Sequence, residues 1–173
     1  MKVIFKECES KKVTIMATFD AGSNLEYNKW TPGTAHLVEH MIFQGTKDLS
    51  HEEIVKKMAS WGVNWNAATY YDKVSFYINL PQENSLEASK LFSEMIFNEK
   101  FDQELFNKEK LVVLEEEKDA RDNIDIELFK ELLYFICKGP FSIPIIGNEN
   151  SIKSITLEEA QSFHNTYYKN SGL

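Results

Sequence analysis

The sequence predicts one domain that mixes strands with helices, and three observations carry that reading. Two runs alternate apolar and polar residues with period two, Val13 to Phe19 and Lys73 to Leu80. From Ser85 onward the apolar residues recur at helical spacing, with capping residues where helices should start. At 173 residues, with 43% hydrophobic residues and only 7 Gly and 4 Pro, the chain can bury a core and is too apolar for a disordered or linker-like protein. The whole of 1–173 reads as a single domain, with no internal repeat or low-complexity tract.

The elements follow in order. Val13, Ile15, Ala17 and Phe19 share one face of the first strand, and a loop through Gly22 follows. Thr31-Pro32 places a capping oxygen before a proline at the first helical position, and Gly45 reads as the stop of that helix. Ser50-His51-Glu52-Glu53 is a capping box that opens a second helix, ending at Gly62. Asn66 to Tyr70 and Lys73 to Leu80 form a hairpin that turns near Tyr71-Asp72. Helices then run through Leu86 to Ile96, from Asp102 to about Ala120, and from about Ile126 to Cys137. Gly139-Pro140 and Pro144 mark a loop, and Thr156 with Glu159 caps a last helix reaching Tyr168.

Composition excludes several function classes. With 19 Lys+Arg against 27 Asp+Glu the net charge is −8, which repels phosphate backbones, so no nucleic-acid partner is expected. The longest wholly apolar stretch, Leu132 to Cys137, is far short of the roughly 20 residues that span a bilayer, so no membrane segment is expected. Charged residues occupy the N-terminus where a signal peptide needs its apolar core, and the 2 cysteines, Cys8 and Cys137, lack metal or disulfide-framework spacing. A reduced, cytoplasmic setting is the expectation.

The chemistry concentrates on the first helix. His36 and His40 stand four residues apart, so both rings leave the same helix face and can hold one metal ion. Glu39 lies at the edge of that face, where its carboxylate can reach a metal-bound water instead of the metal. A bare H-x-x-E-H also arises by chance on a partly exposed helix. Here the flanking residues are strongly apolar, which places the motif on a mostly buried helix where unpartnered polar groups are costly. His51 and His164 read as surface or packing residues, and Trp30, Trp61 and Trp65 as core.

Ala35-His36-Leu37-Val38-Glu39-His40-Met41-Ile42-Phe43-Gln44-Gly45-Thr46 resembles the A-H-x-x-E-H-M-x-F-x-G-T signature of the pitrilysin/insulinase zinc metallopeptidases, the inverzincins, which include the mitochondrial processing peptidases. Ala21-Gly22-Ser23 with Glu26 resembles that family's A-G-S-x-x-E loop, and Asn66-Ala67-Ala68-Thr69 its N-A-x-T strand. The likeness continues through Ile143-Pro144-Ile145-Ile146-Gly147 to Tyr167-Tyr168 and covers nearly the whole chain.

The resemblance implies an α+β fold, a mixed and largely antiparallel sheet with helices packed on one face. It implies one zinc ion per chain, held by His36, His40 and a glutamate on a later helix that another glutamate precedes by seven residues. Glu116, 76 positions after His40, and Glu109, seven before it, fit those places. Glu109 would orient and Glu116 would ligate, while Glu115 and Glu117 point elsewhere; taken alone, without the upstream motif, Glu115-Glu116-Glu117 reads as a solvated acidic face. The implied reaction is peptide-bond hydrolysis with Glu39 activating a zinc-bound water, on an extended peptide paired with a strand at Asn66 and Ala67.

Family members typically have a second homologous domain, and none is expected within residues 1–173. The expectation is therefore that a homologous partner subunit or a second copy of the chain completes the active site, with action as an open domain, or a fragment, as the other possibilities. The rival to a catalytic subunit is a noncatalytic peptide-binding or assembly subunit on the same fold. A metal-binding domain without hydrolysis is a third reading, which Glu39 argues against.

Overall fold

Period-two alternation gives three strands, β1 (Lys12–Phe19), β2 (Asn64–Thr69) and β3 (Val74–Pro81), in a computed structural model that describes residues 2–169. They form one antiparallel sheet in the order β1-β3-β2, and the β2–β3 hairpin turns at Tyr71-Asp72 as expected. The register sets Phe19, Ala17 and Ile15 beside Val74, Phe76 and Ile78, with Thr69, Ala67 and Trp65 on the other side of the same three residues. The helices cover this face, and Val74, Phe76, Ile78 and Leu80 on it are buried. The opposite face is polar: the Thr14 hydroxyl donates to Asn79 Oδ1, and the Thr18 and Ser75 hydroxyls bond one another. A sheet apolar on one side and wet on the other, roofed by helices, is the expected α+β arrangement.

Seven helices are described: α1 (Thr34–Ile42), α2 (His51–Ser60), α3 (Ser85–Phe97), α4 (Gln103–Asp122), α5 (Ile124–Ile136), α6 (Glu149–Ser154) and α7 (Leu157–His164), the last continued by a π-turn at Asn165–Lys169. Their starts follow local capping chemistry. The Ser50–Glu53 capping box opens α2, the Asp102 carboxylate accepts from Glu104 and Leu105 N–H ahead of α4, and Thr156 accepts from Glu159 N–H ahead of α7. α6 escaped the sequence reading because six residues are too few to show a period.

The start of α1 departs from expectation. Thr31 does not cap it, because its N–H and hydroxyl donate to Glu159 of α7 at 2.6 and 3.0 Å. The helix begins instead after Gly33, which takes a left-handed φ of 96° and has no capping side chain. The cap comes from elsewhere in the fold: buried Glu26 accepts from Gly33 N–H at 3.0 Å and from Ala35 N–H at 2.6 Å. A side chain at Gly33 would also strike the Ile146 carbonyl, 2.5 Å from the position of its Cβ, so glycine lets the two segments cross. α1 also stops early, at Ile42, and Gly45 lies beyond it in a bridge to Ser50.

The core is built around α1. Ala35, Leu37, Val38, Met41 and Ile42 are fully buried, alongside β3, Ile54, Met95, Phe106, Phe163 and Tyr168. Trp30, Trp61 and Trp65, read as core, are only partly buried and pack against its margin. α5 buries none of its residues. Among the described residues, no helix is long and apolar enough to cross a membrane.

Candidate active site

Three elements converge on the candidate site. α1 packs against β2 on one side and α4 on the other, with α7 along it. Its apolar residues at 37, 38, 41 and 42 bind it to the core, which leaves His36 and His40 on the flank toward α4. Their rings lie 4.8 Å apart, edge to face. α4, 20 residues long, presents two residues seven apart on one face, and these are Glu109 and Glu116.

The sequence-predicted residues meet as follows. His36 Nε2 lies 3.8 Å and His40 Nε2 3.4 Å from Glu116 Oε2, and one ligand atom from each of the three residues lies within 4.8 Å of the others. Glu109 Oε2 stands 3.1 Å from His40 Nδ1, on the far side of that ring. Glu39 Oε2 accepts a hydrogen bond from the Thr69 hydroxyl of β2. Asn66 and Ala67 line the same cleft with Phe43 and Gln44, and Asn66 Oδ1 accepts from Ala67 N–H at 2.9 Å. Glu115 pairs with Lys118, and Glu117 is buried beside Arg121, so neither joins the cluster.

Burial and charge divide the protons unequally. Burial, with help from the charge of His40, pushes the His36 imidazole down to about 4, so it is neutral and its nitrogen is free to ligate. Burial acts on His40 too, but hydrogen bonds to Glu109 and Glu116 outweigh it and lift the ring to about 9. The hydrogen bond to His40 holds Glu116 below the ordinary carboxylate range. Burial raises Glu39, against the Thr69 hydrogen bond that opposes it. The cluster thus favours a positive charge at His40, between two carboxylates.

The donor set suits zinc. Two imidazole nitrogens and one carboxylate oxygen are its usual ligands, and three protein ligands leave a tetrahedral position open, as catalytic sites do. The Glu109 carboxylate at His40 Nδ1 stands where an outer carboxylate would fix the ring of a metal ligand. His36 Nδ1 is buried without a hydrogen-bond partner, so nothing competes for that ring's orientation except the ligand side.

Thr69 and Glu26 hold Glu39 and the start of α1 and received no role from sequence. Both stood in matched motifs, and Thr69 shared a strand face with Ala67, but that Thr69 faces Glu39 and that Glu26 reaches the start of α1 depend on packing. His51 and His164 take packing roles: His51 Nδ1 bonds the Phe43 carbonyl at 2.8 Å, and fully buried His164 bonds the Ile96 carbonyl at 2.8 Å and stands 3.1 Å from Glu99.

Comparison with known proteins gives a consistent picture. The family model described as Insulinase (Peptidase family M16) matches residues 2–147. A probable mitochondrial-processing peptidase subunit beta of Arabidopsis thaliana is 29% identical over 160 residues, 92% of this chain and 30% of its own length. An uncharacterized zinc protease of Rickettsia bellii is 30% identical over 157 residues, 90% of this chain and 38% of its own. A solved structure described as a peptidase M16 inactive domain from Pseudomonas fluorescens superposes with a TM-score of 0.82 at 23% identity, covering 90% of this chain and 38% of that one, a likeness of fold alone. The chain spans between 30% and 38% of the length of these proteins.

Proposed function

The chain belongs to the insulinase family of peptidases, peptidase family M16, and from that premise we propose that it is the catalytic half of a zinc-dependent endopeptidase. His36, His40 and Glu116 would hold one zinc ion per chain, and Glu109 would fix the His40 ring. The observation that carries this reading is the convergence of three donor atoms within 4.8 Å beside a carboxylate, Glu39, on the same helix. Relatives named as zinc proteases support it.

Zinc bound there would supply Lewis-acid chemistry, activating water and polarising a carbonyl. Glu39 does the proton work: it takes a proton at its carboxylate and passes it to the departing amine. Its raised affinity for protons, caused by burial, suits a group that must hold one between the two steps. β2 is an edge strand, and the outward hydrogen-bonding groups of Ala67, beside the Asn66 side chain, border the cleft, so an extended peptide can add to the sheet there. A homologous partner subunit or a second copy of this chain completes the enzyme on this reading, in keeping with relatives named as a subunit beta and as a complex core protein.

The test is zinc per purified chain, with Glu116→Ala as the comparison and peptide cleavage as the second readout. About one zinc, lost in the variant, with cleavage that Glu39→Gln abolishes, is the expected result. Failure to take up zinc overturns the proposal. Zinc uptake without cleavage, even beside a homologous partner, leaves the noncatalytic peptide-binding or assembly subunit.

A further inference from the structure

Thr69 closes β2, and its side chain lies on the covered face of the sheet, in register with Val74. Its hydroxyl donates to Glu39 Oε2. Glu39 Oε1 takes part in no hydrogen bond among the described residues.

Strand geometry sets what the open edge of β2 offers beside this contact. Tyr70 N–H bonds the Lys73 carbonyl at 2.8 Å, so residue 70 points its N–H toward β3. In an antiparallel ladder that direction alternates, which turns the N–H and carbonyl groups of Thr69, Ala67 and Trp65 to the open edge. At Ala67 the outward N–H meets only Asn66 Oδ1, a local contact that an incoming peptide can replace. At Thr69 the hydroxyl is committed to Glu39.

We propose that Thr69 is a positioning residue: its hydroxyl clasps Glu39 Oε2 from β2 and leaves Oε1 as the oxygen that exchanges the proton. The proposal rests on the reading of Glu39 as the base. Hydroxyl–carboxylate bonds are among the stronger neutral-to-charged contacts, and holding one oxygen fixes the direction of the other. Because the clasp and the peptide-binding edge are neighbouring residues of one strand, a peptide paired at Ala67 is set in register with the base.

Thr69→Val keeps the shape, the β-branch and the backbone N–H and removes only the hydroxyl donor. Thr69→Ser keeps the donor. In the zinc-loaded chain, Thr69→Val is expected to lower kcat about 10- to 100-fold, the range for loss of an outer-shell partner, with KM and zinc content unchanged. Thr69→Ser should recover most of that turnover. A second readout needs no activity: in urea unfolding of the metal-free chain, Thr69→Val with Glu39→Ala should shift the midpoint by less than the sum of the single shifts. Equal loss in both Thr69 variants, wild-type kcat in Thr69→Val, or additive midpoints would overturn the proposal. A wild-type chain that binds zinc and cleaves nothing, yet shows the non-additive midpoints, removes the peptidase reading and leaves the clasp standing.

Discussion

α5 has nine apolar residues among its 13 and buries none of them, whereas α1 has five among nine and buries all five. Ile124 is 78% and Phe135 80% exposed, while Leu37 and Met41 are fully enclosed. Composition therefore does not separate the two helices; their neighbours do. α1 lies among β2, α4 and α7, but α5 touches chiefly α4 and the turn at Gly139–Ser142. The polar residues divide the same way. On α1, Glu39 and His40 each have a partner from another element, and both N-terminal N–H groups reach Glu26. On α5 the caps and the Glu127–Lys130 pair are local in sequence. A helix that must hold three chemical groups at fixed spacing is over-determined by long-range contacts, and a helix without that task is not.

Four substitutions would break or sharpen this contrast. The largest effect belongs to Glu39→Gln, which should keep the zinc and lower turnover by at least about 100-fold, the lower range for loss of a general base. Paired metal analysis and peptide cleavage check it, and loss of zinc would remove the role given to Glu39. Next comes Leu37→Ala, which empties a fully buried site in α1 and should cost about 2–5 kcal/mol in urea unfolding. A cost near zero would mean that α1 is no better anchored than α5.

Glu26→Gln should cost about 1–3 kcal/mol, because the amide turns an N–H toward a helix N–H that it cannot satisfy. This position also carries a pH signature. Burial pushes Glu26 from its ordinary 4.5 up to about 8, against the two backbone bonds that favour the charged form. The folded chain then holds a proton that the unfolded chain releases. The stability that this group contributes is full below about 4.5 and is lost as the pH rises to about 8. The advantage of wild type over Glu26→Gln should accordingly shrink between pH 5 and pH 8, and a constant difference would refute the buried proton. The smallest effect is expected from Phe135→Ala on α5, within about 0.5 kcal/mol of wild type, since the ring already faces water.

Much of the candidate site was legible because its chemistry is local or periodic. The i, i+4 spacing of His36 and His40 sets both rings on one helix face, and the seven residues between Glu109 and Glu116 span about two turns. The hairpin, the Ser50 capping box and the Asp102 cap followed from short-range rules. The start of α1 did not, because Thr31 has an acceptor in Glu159, 128 residues away, which no local rule could weigh. The six-residue α6 was too short to register, and the exposure of α5 contradicted its apolar periodicity.

The sequence by itself determined that His36 and His40 share a helix face, where strands alternate and where most helices start, since each depends on atoms a few residues apart. Only the tertiary structure decided that Glu116 completes a cluster with histidines 76 and 80 positions earlier. It also decided that Thr69 holds the oxygen of Glu39 and that Glu26 supplies a cap across the loop. Those contacts exist because buried polar groups must find partners once the apolar face of α1 has been packed against the sheet, and which partners come within reach is set by packing.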